Sequence, residues 1–365
     1  MNNKKVGIVT FNTQYNFGSA LQVTALQNAV EKLGYTCEVL NYYYEHDMKI
    51  YDIRFSIKRP HVTAFDLLTL TNNRKRKSAY KKYHDLYLNF SEQTKDWREL
   101  SKISKECGCL ICGSDQIWNF SATEGVNPAY FLKFANSNQE KISYAPSVAL
   151  DTIPTDLIND IKEALQDFKA ISTREENSAV QLSNILGRDV LSVLDPTLLF
   201  KCSFYDKLFA DYSLNLPRKY IFIYSIHLSS LKILKYFAEK YAQENDTEIV
   251  YFNKYDLHGK LYKKNIFRCD PRSFVYTIKN ADFVISDSFH ACVFSILYNK
   301  QFAVYTGKVS SANSRMSSLF SQIGIGDRNV NGECKTLDNI SYDNVDLKLE
   351  NLRKLSWEYL EQSLK

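Results

Sequence analysis

The sequence lacks the glycine-rich loops that bind phosphates in the two largest nucleotide-binding classes. It contains neither G-x-G-x-x-G nor G-x-x-x-x-G-K, and only 12 of its 365 residues are glycine. The first pattern lets the backbone approach a dinucleotide pyrophosphate, and the second cradles the phosphates of ATP or GTP. Their absence argues against a dinucleotide-dependent dehydrogenase and against a P-loop nucleotidase.

Long hydrophobic runs are also missing. No stretch approaches the roughly 18 uncharged apolar residues that a membrane span requires. The first residues, Met1-Asn-Asn-Lys-Lys5, lead directly into an apolar strand and not into the hydrophobic region of a signal peptide. These two features predict a cytoplasmic protein.

Positive charge is in slight excess and is unevenly distributed. The formal net charge is +5, and basic residues concentrate in residues 74–83, with Lys58 and Arg59 shortly before them. This predicted helix is either a solvated face or a surface that attracts anionic lipid or a phosphorylated substrate. We favour the solvated face, and we expect no nucleic-acid partner because no recognised binding motif accompanies the charge.

Eight cysteines in a chain of this length, without a signal peptide, indicate reduced thiols and not a disulfide framework. Cys107, Cys109 and Cys112 form a C-x-C-x-x-C pattern that resembles a metal-binding cluster. The run 107–113, however, is typical of a short buried strand whose alternate residues face opposite ways, and no second ligand cluster accompanies it. We therefore predict buried thiols and no metal site.

Short apolar runs alternate with amphipathic helices along the whole chain, a pattern that predicts parallel sheets. We place strands near 5–10, 37–40, 109–112, 141–144, 170–173, 190–194, 220–226, 248–253 and 301–305, and another just before Ser286. A chain of 365 residues normally divides into two domains. We predict an α/β fold of two Rossmann-like domains facing a cleft, 1–200 and 201–365, the second with a terminal helix over 345–364.

The most distinctive stretch is Ser286-Asp-Ser-Phe-His290, where an apolar strand turns into a helix. In an open α/β sheet such a turn lies at the ligand crevice, where free backbone N–H groups favour an anion. Asp287 and Ser288 are able to cap the helix, and His290 is the only histidine that we place at a strand-to-helix turn. A buried core imidazole and a catalytic one are both open at this point.

The loop Gly113-Ser-Asp-Gln-Ile-Trp-Asn119 follows another predicted strand and surrounds Trp118 with polar side chains. A sugar-binding site needs hydroxyl partners together with an apolar plate. The structural alternative is that Asp115 and Asn119 cap a helix while Trp118 fills the core. The sequence leaves both interpretations open.

Arg174 also follows a predicted strand. It is placed to pair with Glu175 or Glu176, although adjacent helical residues do not face one another. Alternatively, its planar guanidinium grips a carboxylate or phosphate in bidentate geometry. The turn Asp195-Pro-Thr197 is predicted to be rigid and to end the first domain.

Six motifs, in this order and across most of the chain, resemble the polysaccharide pyruvyl transferase family. They are Asn16-Phe-Gly-Ser-Ala-Leu-Gln22, Gly113-Ser-Asp-Gln-Ile-Trp-Asn119, Ser172-Thr-Arg-Glu175, Asp195-Pro-Thr197, Asp287-Ser-Phe-His290 and Asn313-Ser-Arg315. The resemblance implies two Rossmann-like domains similar to GT-B glycosyltransferases. It also implies phosphoenolpyruvate as donor and, as acceptor, a sugar of a growing cell-surface glycan, which receives pyruvate as a cyclic ketal.

The same resemblance implies the residues of the catalytic and donor sites. The catalytic candidates are His290, Arg174 and Arg315, and the donor-binding candidates add Ser288 and Lys308. Several members of the family carry an arginine two residues before the histidine and a glycine after it, where this chain has Ser288 and Ala291. Arg315, Lys308 or Arg272 are the candidates to replace that positive charge.

Two loops of the first half are expected to emerge at one sheet edge and to shape the acceptor pocket. The acceptor-binding candidates are Asn16, Gly18, Ser114, Asp115, Gln116 and Trp118. No metal and no cofactor is expected beyond the donor substrate.

The leading hypothesis is therefore a pyruvyl transferase of surface-polysaccharide synthesis, such as that of a capsule or exopolysaccharide. One alternative is a GT-B-type glycosyltransferase that uses a nucleotide sugar, and another is a non-catalytic glycan-binding relative. The expected acceptor is a lipid-linked or nucleotide-linked sugar, and a peripheral contact with the inner face of the membrane is a further hypothesis.

Overall fold

A computed structural model describes residues 4–12, 15–45, 60–253, 261–305, 307, 310–330 and 337–365, with the backbone alone at 60–68 and 310–314. Strands and helices alternate through it, as the sequence predicts. The strands are β1 Lys5–Val9, β2 Thr36–Val39, β3 Cys107–Cys112, β4 Glu140–Ser143, β5 Ser172–Thr173, β6 Leu191–Ser192, β7 Tyr220–Tyr224, β8 Glu248–Phe252, β9 Lys264–Asn265, β10 Phe283–Ser286 and β11 Gln301–Val304.

The helices lie mostly between consecutive strands. They are α1 Phe17–Lys32, α2 Pro60–Tyr87, α3 Leu100–Ile103, α4 Ile158–Leu165, α5 Glu176–Leu186, α6 Cys202–Leu208, α7 Leu228–Asn245, α8 Pro271–Asn280, α9 Phe289–Leu297, α10 Ser310–Ile323 and α11 Tyr342–Leu364. Short 3-10 turns cover Thr155–Leu157 and Pro196–Leu199. The turn after Pro154 runs directly into α4.

The described strands form two separate parallel sheets. The first has the order β2-β1-β3-β4, and the pair β5-β6 continues it through the Ser143 N–H, which donates to the Ala170 carbonyl at 3.1 Å. The second has the order β11-β10-β7-β8-β9. The strand order of the second sheet reverses between β7 and β10, and ligands of open α/β sheets bind at such a switch point. The α/β fold with two Rossmann-like units is confirmed.

Helix α11 returns from the second sheet to the first half of the chain. The Tyr359 hydroxyl donates to the Ser143 carbonyl at 2.7 Å, and the Trp357 indole N–H donates to the Leu199 carbonyl at 2.9 Å. The Ser356 hydroxyl accepts from the Leu194 N–H at 2.9 Å. This helix therefore ties the carboxyl-terminal segment to the first half of the chain, and the domain boundary at residue 200 stays a prediction.

Arg76 on α2 is the exception within the basic stretch, because it points inward while Arg74 and Lys75 are exposed. Its guanidinium lies 5.2 Å from the ring centre of Phe17 in the first half and 4.7 Å from that of Phe252 in the second. Stacking on aromatic faces is a property of arginine that lysine shares poorly. Most of the stretch is a solvated face, whereas Arg76 stabilises the contact between the halves.

The three clustered cysteines lie in β3 as buried, free thiols. Burial raises the pKa of Cys107 to about 11 and that of Cys109 to about 12, so both are protonated near neutral pH. Among the described residues, no group of cysteine, histidine, aspartate or glutamate side chains has the arrangement of a metal site. The described helices also include none that is long and apolar enough to cross a membrane.

Candidate active site

His290 lies in the first turn of α9, directly after β10. Every residue of this helix is buried, which explains its unbroken apolar sequence. Ser288 is the N-cap residue, but its side chain makes no capping hydrogen bond, and its N–H donates to the Ser286 hydroxyl at 3.0 Å. Only 8% of the His290 side chain is exposed, so the imidazole is held within the protein.

Asp287 does not cap α9, contrary to the sequence-based expectation. Its carboxylate accepts hydrogen bonds from the Ser225 hydroxyl at 2.9 Å, from the Ile226 N–H at 2.8 Å and from the His227 N–H at 3.1 Å. The prediction that His290 is the only histidine at a strand-to-helix turn is also wrong, because His227 directly precedes α7. Asp287 therefore joins the two loops at the switch point of the second sheet.

His290 packs against the loops of the first half. A β-carbon built on Gly18, the second residue of α1, would lie 2.1 Å from Nδ1 of His290 and 2.4 Å from its Cγ. The position therefore requires glycine, because any side chain would displace the ring. On the opposite side of the imidazole, Nε2 lies 3.4 Å from Oδ2 of Asp195. The histidine of the second half is thus enclosed by residues of the first.

Asp195 is the residue at which these side chains converge. Its side chain is fully buried, and it accepts hydrogen bonds from the Arg174 guanidinium at 2.9 Å and from the Ser114 hydroxyl at 3.1 Å. Burial opposes the charge of the carboxylate, but His290 and Arg174 outweigh that cost and hold the pKa of Asp195 well below its usual range. Asp195 is therefore ionised wherever the protein is folded near neutral pH.

Arg174 makes the ion pair that the sequence left open, yet keeps one donor unused. Its Nε lies 3.3 Å from Oε1 of Glu175, which is possible because Glu175 is extended and not helical. The guanidinium also lies 4.3 Å from the ring centre of Phe289. Within the described part of the chain, the buried Nη2 has no hydrogen-bond partner. An unpaired buried donor of this kind is the feature that an anionic ligand would satisfy.

Arg315, on α10, is the second buried arginine of the cluster, with 8% of the residue exposed. Burial and the nearby positive charge of Arg174 together lower the pKa of Arg315 to about 10, although Glu175 and Asp115 act in the opposite direction. This effect of Arg174 indicates that two guanidinium groups from different halves of the chain lie within electrostatic range of each other.

Asp115 adopts a left-handed backbone conformation with φ of 71°, which is uncommon for a residue with a side chain. The Ser19 hydroxyl donates to its Oδ2 at 2.5 Å, and the Asp115 carbonyl accepts from the Ser147 N–H at 2.7 Å. The bend turns residues 114 and 115 toward the histidine-arginine cluster. Ser114 and Asp115, two of the expected acceptor residues, are thus brought into the site.

Trp118 lies elsewhere, in the hydrophobic core of the first half. Only 1% of the residue is exposed, its indole N–H donates to the Tyr130 carbonyl at 3.2 Å, and its ring stacks on Phe131. Gln116 is partly exposed and accepts a hydrogen bond from the Asn119 amide at 2.8 Å. This geometry favours the core interpretation of Trp118 and leaves no free face of the indole for a sugar.

Three further candidates have distinct positions. Asn16 is the N-cap of α1, and its side chain accepts from the Gly18 N–H at 2.9 Å, so it shapes the loop next to His290. Arg272 pairs with Asp270 at 2.6 Å. Ser288 lies beside the cluster with 6% of the residue exposed. Lys308 lies outside the described residues.

Sequence reasoning missed the role of Asp195, which it treated as a turn at the end of a domain. A signal was available, because Asp195 directly follows the predicted strand 190–194, and polar residues at strand ends are the ones that meet at a ligand crevice. In the structure this strand covers only Leu191–Ser192. Because it pairs in parallel with β5, the carboxyl ends of the two strands lie close together.

We expect Asp115→Asn to weaken binding of an acceptor without changing the melting temperature. Asparagine tolerates the left-handed conformation, so the backbone should be retained, but it lacks the negative charge. Loss of one hydrogen bond to a charged group should raise the Michaelis constant of the acceptor about fivefold or more. Gln116→Ala, at the next residue of the same loop, should have a smaller effect in the same direction. A fall in stability with unchanged acceptor kinetics would assign the loop to the scaffold.

Comparison with known proteins agrees with the fold and with the motifs. The family model described as polysaccharide pyruvyl transferase matches residues 16–308. No curated protein matches the sequence.

Among solved structures, the chain is similar to UDP-bound MnaA from S. aureus, with a TM-score of 0.51, 11% identity, and coverage of 99% of this chain and 91% of that one. For a putative UDP-N-acetylglucosamine 2-epimerase from Listeria monocytogenes the TM-score is 0.52 and the identity 12%, with 99% of this chain and 91% of that one covered. For an alpha-glucosyltransferase in complex with UDP and a mismatched DNA the TM-score is 0.50 and the identity 9%, with 99% of this chain and 94% of that one covered. Identities this low show the fold alone, which is GT-B-like. Together with the family match over residues 16–308, the six motifs establish that this chain belongs to the polysaccharide pyruvyl transferase family.

Proposed function

We propose that this protein transfers pyruvate from phosphoenolpyruvate to a sugar of a cell-surface polysaccharide precursor and closes it into a cyclic ketal. The observation that carries the proposal is the buried guanidinium donor of Arg174 that has no partner among the described residues. Arg174 and His290 both lie against Asp195, and the buried Arg315 is within electrostatic range of Arg174. Phosphoenolpyruvate carries a carboxylate and a phosphate, and its reaction requires proton transfer. Two arginines and one imidazole match those requirements.

The chemistry assigns a task to each group. A proton is added to the methylene carbon of the enol phosphate, and the resulting oxocarbenium-like carbon is attacked by a sugar hydroxyl, which gives up its proton. The C–O bond to phosphate then breaks, and a second hydroxyl of the same sugar closes the ring and gives up its proton, which balances the release of hydrogen phosphate. An imidazole is able to give and take these protons near neutral pH, while buried arginines stabilise the phosphate and carboxylate. The proposed reaction involves no net oxidation or reduction, so it requires no redox cofactor.

Substrate positions follow from the placement of these groups. We place the donor against Arg174 and Arg315, and we place the acceptor at the edge formed by the loops that hold Ser19 and Asp115. His290 lies between the two sets of loops, in contact with Gly18. A donor and an acceptor bound in this way would share the imidazole, which suits ketal formation at one carbon atom.

The test is phosphate release from phosphoenolpyruvate in the presence of a panel of lipid-linked and nucleotide-linked sugars. The proposal is supported if phosphate release depends on one class of sugar and if the mass of that sugar increases by the mass of a pyruvyl ketal group. Activity with a nucleotide sugar and none with phosphoenolpyruvate would identify a glycosyltransferase instead. Saccharide binding without phosphate release from any pair would identify a non-catalytic relative.

A lipid-linked acceptor would place the protein at the inner face of the membrane. The exposed lysines and arginines of α2 would then face anionic lipid. Sedimentation with vesicles of phosphatidylglycerol, compared with vesicles of phosphatidylcholine, tests this part of the proposal separately. Equal sedimentation with both would favour a nucleotide-linked acceptor.

We expect Arg174→Lys and Arg315→Lys to weaken the donor more than the acceptor. Lysine retains the positive charge but loses the planar fork that forms two parallel hydrogen bonds. Loss of a charge-assisted hydrogen bond should raise the apparent Michaelis constant of phosphoenolpyruvate about tenfold or more. Arg272→Lys is the control, because its partner is Asp270 and not the cluster. If only the acceptor constant changes, the two arginines belong to the acceptor site.

A further inference from the structure

One carboxylate lies between the proposed acid-base group and the proposed anion-binding group. Oδ2 of Asp195 accepts from Nη1 of Arg174 at 2.9 Å and lies 3.4 Å from Nε2 of His290. Arg174 comes from the first half of the chain and His290 from the second. Asp195 is thus the shared partner of both groups. Without its negative charge, the guanidinium of Arg174 and a protonated imidazole of His290 would repel each other.

The orientation of this carboxylate is determined by its own turn. Oδ1 accepts from the N–H of Thr197 at 3.0 Å and from its hydroxyl at 2.6 Å. Pro196 fixes the backbone between them, and the Asp195 side chain is the N-cap of the 3-10 turn. With Oδ1 held in this way, Oδ2 can point only toward Arg174, Ser114 and His290.

We propose that Asp195 is a positioning residue that fixes the imidazole of His290 and the guanidinium of Arg174 relative to each other; this inference rests on the proposed function. A carboxylate beside one ring nitrogen fixes the orientation of the imidazole and favours a proton on the nitrogen nearest to it. The opposite side of the ring rests on Gly18. His290 is therefore held from both sides by the first half of the chain.

The same sequence contains a matched control. Asp270 also precedes a proline, also caps a helix, and also pairs with an arginine, in this case Arg272 at 2.6 Å. Among the described residues, its side-chain oxygens accept hydrogen bonds from Arg272 and from no residue of the cluster around His290. Asp270→Asn therefore reproduces the loss of a carboxylate charge and of its ion pair at a capping position, without touching the site.

A double-mutant cycle of Asp195→Asn with His290→Ala tests the proposal through the turnover number. Alone, Asp195→Asn should lower kcat by about 10²-fold or more, as loss of an orienting carboxylate does elsewhere. Asp195 acts on proton transfer through His290, and its hold on Arg174 should appear in the Michaelis constant of the donor, so the turnover number of the double mutant should be no lower than that of His290→Ala. Asp270→Asn should leave the effect of His290→Ala unchanged and should itself alter kcat little. Multiplying losses for Asp195 and His290 would overturn the proposal, since a merely structural role adds independently.

A second measurement does not require turnover or a known substrate. The protein contains six histidines, and the ¹⁵N imidazole signals of His290 are identified by their loss in His290→Ala. Asp195→Asn, or the milder Thr197→Val if the former does not fold, should shift these signals, whereas Asp270→Asn should not. Unshifted His290 signals in a folded Asp195 or Thr197 variant would overturn the inference. If the wild-type protein releases no phosphate from phosphoenolpyruvate, the proposed function fails, while this spectrum still tests the contact.

Discussion

Replacing His290 with alanine is expected to lower phosphate release from phosphoenolpyruvate by about 10²–10⁴-fold, the usual cost of removing a general acid–base group. Folding and donor binding should be largely retained. The reason is that Asp195 keeps its hydrogen bonds to Arg174, Ser114 and Thr197, so no buried charge is left without a partner. Single-turnover rates, donor affinity and melting temperature measure these three properties separately.

His227→Ala is the matched control for this prediction. His227 also lies at a strand-to-helix turn of the second half, but its side chain is 41% exposed and pairs with Asp287. Its removal should leave the turnover number near the wild-type value. Near-full activity of His290→Ala would end the catalytic assignment, and equal losses in both variants would point to a general disturbance of the second sheet.

Gly18→Ala is expected to abolish most activity without changing any charge. The new methyl group would lie 2.1 Å from Nδ1 of His290, 2.4 Å from Cγ and 2.9 Å from Cβ, so the ring must move. Displacing a reacting group by about 1 Å can cost a factor of roughly 10² in rate. Alanine is the better helix former by about 1 kcal/mol, but overpacking costs about 1–3 kcal/mol, so a small net loss of stability is expected.

A crystal structure or ¹⁵N spectrum of Gly18→Ala would show the displaced imidazole, and steady-state kinetics would show the loss. Gly326→Ala is the control, because a β-carbon at that position meets no atom within 4 Å. An active Gly18→Ala protein with the ring displaced would show that the position of His290 does not limit the reaction. An active protein with the ring in place would show that α1 yields instead.

Many elements of this fold were predictable from local patterns. Apolar runs predicted β1, β7 and β8 to within one or two residues, because a strand buried on both faces needs continuous apolar sequence. Helix capping is equally local, because Asn16 and Asp270 accept hydrogen bonds from the first helical N–H groups of α1 and α8. These features depend on neighbours within a few residues along the chain.

The same local reasoning failed where a side chain had a distant partner. Asp287 was expected to cap the helix that follows it, but its oxygens bind the loop at 225–227. For Trp118 the sequence left a sugar-binding and a core interpretation open, and in the structure its ring stacks on Phe131 in the core. Nothing in the adjacent residues distinguishes these outcomes, since both placements satisfy the polar and apolar groups of the segment equally well.

By itself, the sequence determined the alternation of strands and helices, the family motifs and the identity of the chemical groups. Only the tertiary structure decided that His290 rests on Gly18, that Arg174 and Arg315 lie near each other, and that Asp195 joins the two halves. The physical reason is that strand order and the packing of α11 against the first half bring loops together that are far apart in the chain. Hydrogen bonds and burial within a segment are encoded locally, whereas the meeting of charged side chains at a common sheet edge depends on the packing of the whole chain.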